Sequence, residues 1–151
     1  MIVYRVGRTR YARDLDGEGA RLHGGRWNHP LTPCIYTSES RALALLEYTA
    51  NVNIDDIPRA LSITAFEINP AYILDLPARA LPGDWKTAPA PASTKDFGTN
   101  LLRKADYGII KIPSAIMDDE SNYLLNPLFR KAMIYSIRSV RDFVYDVRLK
   151  L

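Results

Sequence analysis

Gly24-Gly25-Arg26-Trp27-Asn28 sets a guanidinium beside paired glycines, and Ile35-Tyr36-Thr37-Ser38 followed by Glu47 adds a phenol and a carboxylate within about two dozen residues. Paired glycines let a backbone approach a ligand closely, and a guanidinium presents a planar fork of donors matched to phosphate oxygens. A tyrosine ring is a platform for a cationic aromatic ring, and a carboxylate stabilises developing positive charge. Together these groups suit an anionic ligand that also carries a cation, such as a dinucleotide. The same five residues around Arg26 also fit a plain turn with a surface arginine and a core tryptophan.

The elements that must position these groups follow from pattern. A strand is expected over Ile2 to Arg5, then a polar, Gly- and Arg-rich stretch to His29-Pro30 that is not regular throughout. Cys34 to Thr37 reads as a second strand, and Ser38 or Ser40 can cap a helix running from Arg41 to Ala50. Helical spacing turns Leu43, Leu46 and Ala50 toward the core and puts Glu47 on or beside that face, where a carboxylate needs either a cleft or an internal partner. Leu61 to Ile68 alternates as a strand, Tyr72 to Leu76 is a short extended piece, and Leu81 to Pro91 is a proline-dense surface connection. A second helix is expected from Ser93 or Thr94 to Ala105 with Phe97, Leu101 and Leu102 inward, then a strand from Tyr107 to Ile112, an apolar run at Tyr123-Leu124-Leu125, and one or two strands between Met133 and Val147. Turn residues between the apolar runs of the second half favour an α+β fold, a single domain over residues 1–151 of mostly antiparallel sheets with a few helices.

Composition narrows the function classes. The chain has 151 residues, is 47% apolar and 25% charged, and carries a formal charge of +3, which fits one core and permits anionic partners. A lone cysteine, Cys34, rules out an intrachain disulfide and points to core packing in a reducing compartment. No apolar stretch approaches the roughly 18 residues that span a bilayer, so a cytoplasmic protein without membrane contact is expected. Gly17-Glu18-Gly19-Ala20-Arg21-Leu22 lacks the last glycine of a dinucleotide fingerprint, no Walker lysine is present, and Ser114 has no nucleophile-elbow context. His23, His29 and Cys34 lack a fourth ligand at a metal-binding spacing, so no metal is expected.

The order of five blocks is more specific than any one of them. Gly24-Gly25-Arg26-Trp27-Asn28, Ile35-Tyr36-Thr37-Ser38, Ala44-Leu45-Leu46-Glu47, Ile112-Pro113-Ser114 and Asn122-Tyr123-Leu124-Leu125-Asn126-Pro127 together resemble the RES-domain family, from Tyr4-Arg5-Val6 to about Pro127. The resemblance implies an ADP-ribosyltransferase-like fold and a toxin of a bacterial toxin–antitoxin pair that acts on NAD. It matches Arg26, Glu47 and Ser114 to the family's arginine, glutamate and serine, and Tyr36 to its strand tyrosine. Leu128-Phe129 stand where many members carry histidine-proline.

On that basis the expected chemistry is cleavage of the nicotinamide–ribose bond, with Glu47 stabilising an oxocarbenium-like transition state. Arg26 holds pyrophosphate or ribose, Tyr36 stacks on nicotinamide, Ser114 and Asn122 orient ribose or amide groups, and Trp27 and Asn28 join the substrate-binding set. NAD is then a substrate and no cofactor is required. Water as acceptor makes a glycohydrolase, phosphate a phosphorylase, and a protein side chain a mono-ADP-ribosyltransferase. The resemblance further implies a cognate antitoxin with an Xre-type helix-turn-helix domain, DNA contact only through it, and leaves a homodimer within that complex open. A different class also fits the residues: a non-catalytic nucleic-acid-binding module using the basic N-terminal stretch and Arg130, Lys131, Arg138, Arg141, Arg148 and Lys150.

Overall fold

The computed structural model describes residues 1–150. Seven strands form one sheet: β1 (Ile2–Arg8), β2 (Ile35–Ser38), β3 (Leu61–Ile68), β4 (Ile73–Asp75), β5 (Ile109–Pro113), β6 (Ser121–Leu125) and β7 (Tyr135–Phe143). Their spatial order is β4-β5-β6-β2-β1-β3-β7, and every pairing is antiparallel except that of β4 with β5. The α+β expectation holds, realised as one sheet with three α-helices: α1 (Glu18–His23), α2 (Arg41–Asn51) and α3 (Ala92–Lys104).

Strand alternation sorts the side chains onto two faces. Registers set Val3, Ile35, Phe66, Ile109 and Leu125 on one face, where Phe129 and Ile134 close the core over them. Phe129, at the position where the family resemblance expects the histidine-proline pair, is thus a core residue, 7% exposed. The other face carries the two long helices. Ala44, Leu45 and Tyr48 of α2 pack on Tyr4, Val6 and Ile63, while Phe97, Leu101 and Leu102 of α3 pack with Ile110, Ile112 and Leu124. The helices therefore cover different halves of one face.

Local chemistry explains the helix ends and one revision. Ser40, the second of the two cap candidates, accepts the Leu43 N–H at 3.0 Å and starts α2. The buried side of α2 is Leu43, Ala44 and Thr49, whereas Leu46 and Ala50 are exposed, so the apolar face is rotated from the one the leucine spacing suggests. Thr49 makes the difference: its hydroxyl bonds Leu45 O and the buried Tyr145 hydroxyl, both at 2.8 Å, which makes a polar position a core one. The stretch before His29 contains α1, which sequence pattern leaves irregular, and the region from Met133 to Val147 yields the single strand β7.

Gly98 marks where α3 meets the Arg26 loop, because a Cβ there would lie 1.9 Å from Trp27 O. Alanine is the better helix former by about 1 kcal/mol, yet the clash dominates, so Gly98→Ala is expected to lower unfolding stability by about 1–3 kcal/mol in urea titration.

Candidate active site

The helix-bearing face around β2 gathers side chains from five separate segments. Tyr4, Ser38, Asn122 and Ile112 form a row across the helix-bearing face through the registers Tyr4↔Ser38, Ser38↔Asn122 and Ile112↔Asn122. Glu47 descends from α2 onto this row, half-buried. Its Oε1 accepts from Ser114 Oγ at 2.7 Å and from Asn122 Nδ2 at 2.7 Å. Behind these, Ser38 Oγ donates to Asn122 Oδ1 at 2.7 Å, and Ser114 Oγ accepts the N–H groups of Ile116 and Met117, each at 3.1 Å. Both donors converge on one oxygen, and among the described residues none reaches Oε2. A carboxylate held on one side and open on the other is placed to face positive charge on a ligand.

The second half of the site is the turn that carries Arg26. Gly24 has φ +73, in the left-handed region that glycine enters without steric cost, and Gly25 N–H closes the turn on Asn28 O at 3.0 Å. The Tyr36 hydroxyl is the pin of this turn: it accepts the Trp27 N–H at 2.9 Å and donates to Asn28 Oδ1 at 2.6 Å. Gly25 is required at close quarters, since a Cβ would fall 2.7 Å from that hydroxyl. Helix α3 supports the turn from outside, with Lys95 Nζ donating to Gly25 O at 3.0 Å and Thr99 Oγ1 accepting the His29 N–H at 2.9 Å.

Arg26 is half-buried, and its Nη1 donates to Trp85 O at 2.9 Å and Thr87 O at 2.8 Å in the proline-dense connection. Among the described residues Nε and Nη2 have no acceptor, so one edge of the guanidinium fork is held and the other is open. Lys86, between the two carbonyls, reaches Asp118, which lies in the loop that cradles Ser114. The connection thus ties the Arg26 turn to the Ser114 loop.

Of the sequence-selected residues, the structure joins Glu47, Ser114 and Asn122 by hydrogen bonds and ties the Arg26 turn to Tyr36, but gives them unequal exposure. Ser114 is fully buried and acts on Glu47, so its expected role of orienting ribose directly is replaced by positioning the carboxylate. Trp27, 4% exposed, packs edge-on to Phe97 with ring centroids 6.0 Å apart. Asn28, 0% exposed, spends its amide on Ala20 O and Thr32 O at 2.8 and 2.9 Å. Both were expected to bind substrate; their burial makes them the frame of the turn instead. His29 pairs through Nε2 with Asp96 at 2.6 Å, and burial pushes the Cys34 thiol up, consistent with a core group. Sequence reasoning missed Ser38, Lys95, Gly98 and Thr99, whose contacts join segments far apart in the chain and leave no local signal.

Residues 2–148 match the RES domain. The chain belongs to the RES family. It is 35% identical to a protein named Toxin Res from Yersinia enterocolitica, covering 99% of this chain and 100% of that one. It is also 34% identical to the Prs ADP-ribosylating toxin of a Sphingobium species, with coverage of 94% and 90%. This RES chain superposes with a TM-score of 0.77 on a chain of the M. tuberculosis MbcT–MbcA toxin–antitoxin complex, at 20% identity over 95% of this chain and 84% of the other, a likeness of fold.

Burial raises the Tyr36 pKa well above the ordinary tyrosine value, with smaller lowering from its backbone partners and Arg26. The native state therefore keeps the phenol proton where the unfolded chain has lost it; the stabilisation is complete below about pH 10 and declines as pH rises beyond it. Tyr36→Phe strands the Trp27 N–H and the Asn28 Oδ1, and is expected to cost about 1–3 kcal/mol at neutral pH. Thermal unfolding followed into the alkaline range should show less loss of stability in the variant than in the parent.

Proposed function

We propose that this protein is the toxin of a toxin–antitoxin pair and that it consumes NAD by breaking the bond between nicotinamide and ribose. The observation that carries this reading is the half-buried Glu47 carboxylate, fixed through Oε1 by Ser114 and Asn122, with Oε2 bonded to no group among the described residues. Bond cleavage at the ribose anomeric carbon builds positive charge on the sugar, and a fixed anion beside it lowers the barrier without reorganising. The electron pair leaves with nicotinamide, which departs neutral, so no strong general acid is needed. Arg26 offers its open edge to phosphate or ribose, and the partly accessible Tyr36 ring offers a face to the cationic nicotinamide. The scheme uses no metal or cofactor.

The name of the Sphingobium relative supports chemistry at this bond, since ADP-ribosyl transfer also begins by breaking it. That relative equally supports a second reading, a protein side chain as acceptor, in place of water or phosphate. The nucleic-acid module is less favoured, because several arginines are engaged locally: Arg21 with Glu18, Arg148 with Asp146, Arg138 with Glu67 and Arg26 with backbone carbonyls. The partner in this reading is an antitoxin with a helix-turn-helix domain, through which any DNA contact is made; the complex in which the MbcT fold was solved is support for such a partner.

Glu47→Gln keeps the size of the side chain and removes its charge. Nicotinamide release from NAD, with and without inorganic phosphate, is expected to fall by roughly 100-fold or more in the variant, the scale of losing one electrostatic stabiliser. An unchanged thermal midpoint would show that the fold survives, and the ribose product would identify the acceptor. Undiminished release from Glu47→Gln would overturn the assignment.

A further inference from the structure

We propose that the outer edge of β7 is a docking site for an extended acidic segment of a partner protein, which adds to the sheet as a further strand. The two ends of the sheet differ. At one end β4 has three residues, a short edge that resists unwanted pairing; at the other β7 has nine, and among the described residues no strand lies on its far side. Its inner edge pairs with β3 from Tyr135 to Phe143, interrupted once where the register shifts between Ala65 and Phe66 and leaves Arg138 unpaired. Residues 139–143 therefore form a regular stretch whose outward backbone donors and acceptors lack a strand partner.

Beyond β7 the chain turns onto the helix-bearing face. Tyr145 is buried there, its hydroxyl 2.8 Å from that of Thr49 and its ring 6.0 Å from that of Tyr48 on α2. Val144, at the turn, is 88% exposed, and Met133, just before the strand, is 91% exposed, so an apolar side chain stands free at each end of the edge. The edge is three strands away from β2, and docking on it does not depend on the reaction proposed at Glu47.

Charge names the occupant. Residues 130–150 hold six Lys or Arg against two Asp, a surplus larger than the +3 of the whole chain. Arg138 reaches Glu67 only at 4.0 Å and Arg148 is paired with Asp146, while Arg130, Lys131 and Arg141 have no carboxylate in ion-pair range among the described residues. Register places Arg141 beside Ile63, on the face that α2 covers, and Val140 beside Thr64, on the face of Phe66. An added strand that alternates acidic and apolar residues meets both, an acid against Arg141 and an apolar side chain against Val140. A second copy of β7 would bring the same positive surplus to the edge. A nucleic acid answers the charge but not the row of backbone groups, which an extended polypeptide matches.

Fluorescence anisotropy of a labelled, end-blocked octapeptide of alternating valine and glutamate tests this. The parent protein is expected to bind it, and to bind the valine–lysine counterpart roughly 10-fold or more weakly. Arg141→Glu, at an exposed position, should lower affinity by roughly 10-fold or more and leave the thermal midpoint unchanged. Strand addition has a signature that charge alone lacks: N-methylation of one alternate set of peptide amides, those that donate to β7, should abolish binding, whereas methylation of the other set should not. The methylated peptides carry the test if Arg141→Glu fails to fold. No binding to the parent, equal binding of the lysine counterpart, equal effects of the two methylated sets, or undiminished binding to a folded Arg141→Glu would overturn the docking site. A single-stranded oligonucleotide that binds the parent more tightly than the acidic peptide, and loses affinity in Arg141→Glu, would overturn it in favour of nucleic acid.

Discussion

The structure turns on how β2 is held. Along one edge this four-residue strand pairs with β6 at every position, while along the other it meets β1 at a single register pair. A continuous sheet would give no opening beside Tyr36; a detached strand could not hold it. The asymmetric pairing leaves the backbone of β2 anchored from the β6 side while its far end faces open space. Helix α2 buries apolar surface on the β1–β3 half of the sheet and α3 on the β5–β6 half, where Tyr36 of β2 joins its cluster.

Around Glu47, polar groups are satisfied in layers. Ser38 serves Asn122, Asn122 and Ser114 serve Glu47, and backbone N–H groups serve Ser114. Each donor is itself oriented by another partner, so the carboxylate is held by geometry set before any ligand arrives. The Arg26 turn follows the same logic around the Tyr36 hydroxyl. A buried network of this kind is stabilising only when complete, and no buried side-chain nitrogen or oxygen among the described residues lacks a partner.

Much of this was legible in the amino-acid sequence because it is local. The cap of α2 at Ser40, the inward leucines of α3 and the alternation of β3 follow from spacing and residue type. Glu47 could be recognised as a carboxylate needing a partner or a cleft, and its partners are Ser114 and Asn122. What stayed hidden depends on contacts across long separations. Trp27 looks like a ligand contact beside Arg26 until α3 arrives against it at Gly98, whereas Asn28 is turned inward by the nearer carbonyls of Ala20 and Thr32. Leu46 looks like core until Thr49 finds Tyr145, a partner 96 positions away. The single sheet, in place of separate ones, rests on β2 pairing across the chain with β6, which no local pattern encodes.

The proline-dense connection has a thermodynamic meaning beyond its contacts. Trp85 O and Thr87 O hold Arg26, and Lys86 holds Asp118, so three consecutive residues clamp the arginine turn to the serine loop. Segments linked in this way tend to open and close as one cooperative unit, with a free energy of opening below that of global unfolding. The Arg26 turn and the loop that supports the Glu47 carboxylate are then exposed to proteolysis and exchange together, and whatever stabilises either one protects both.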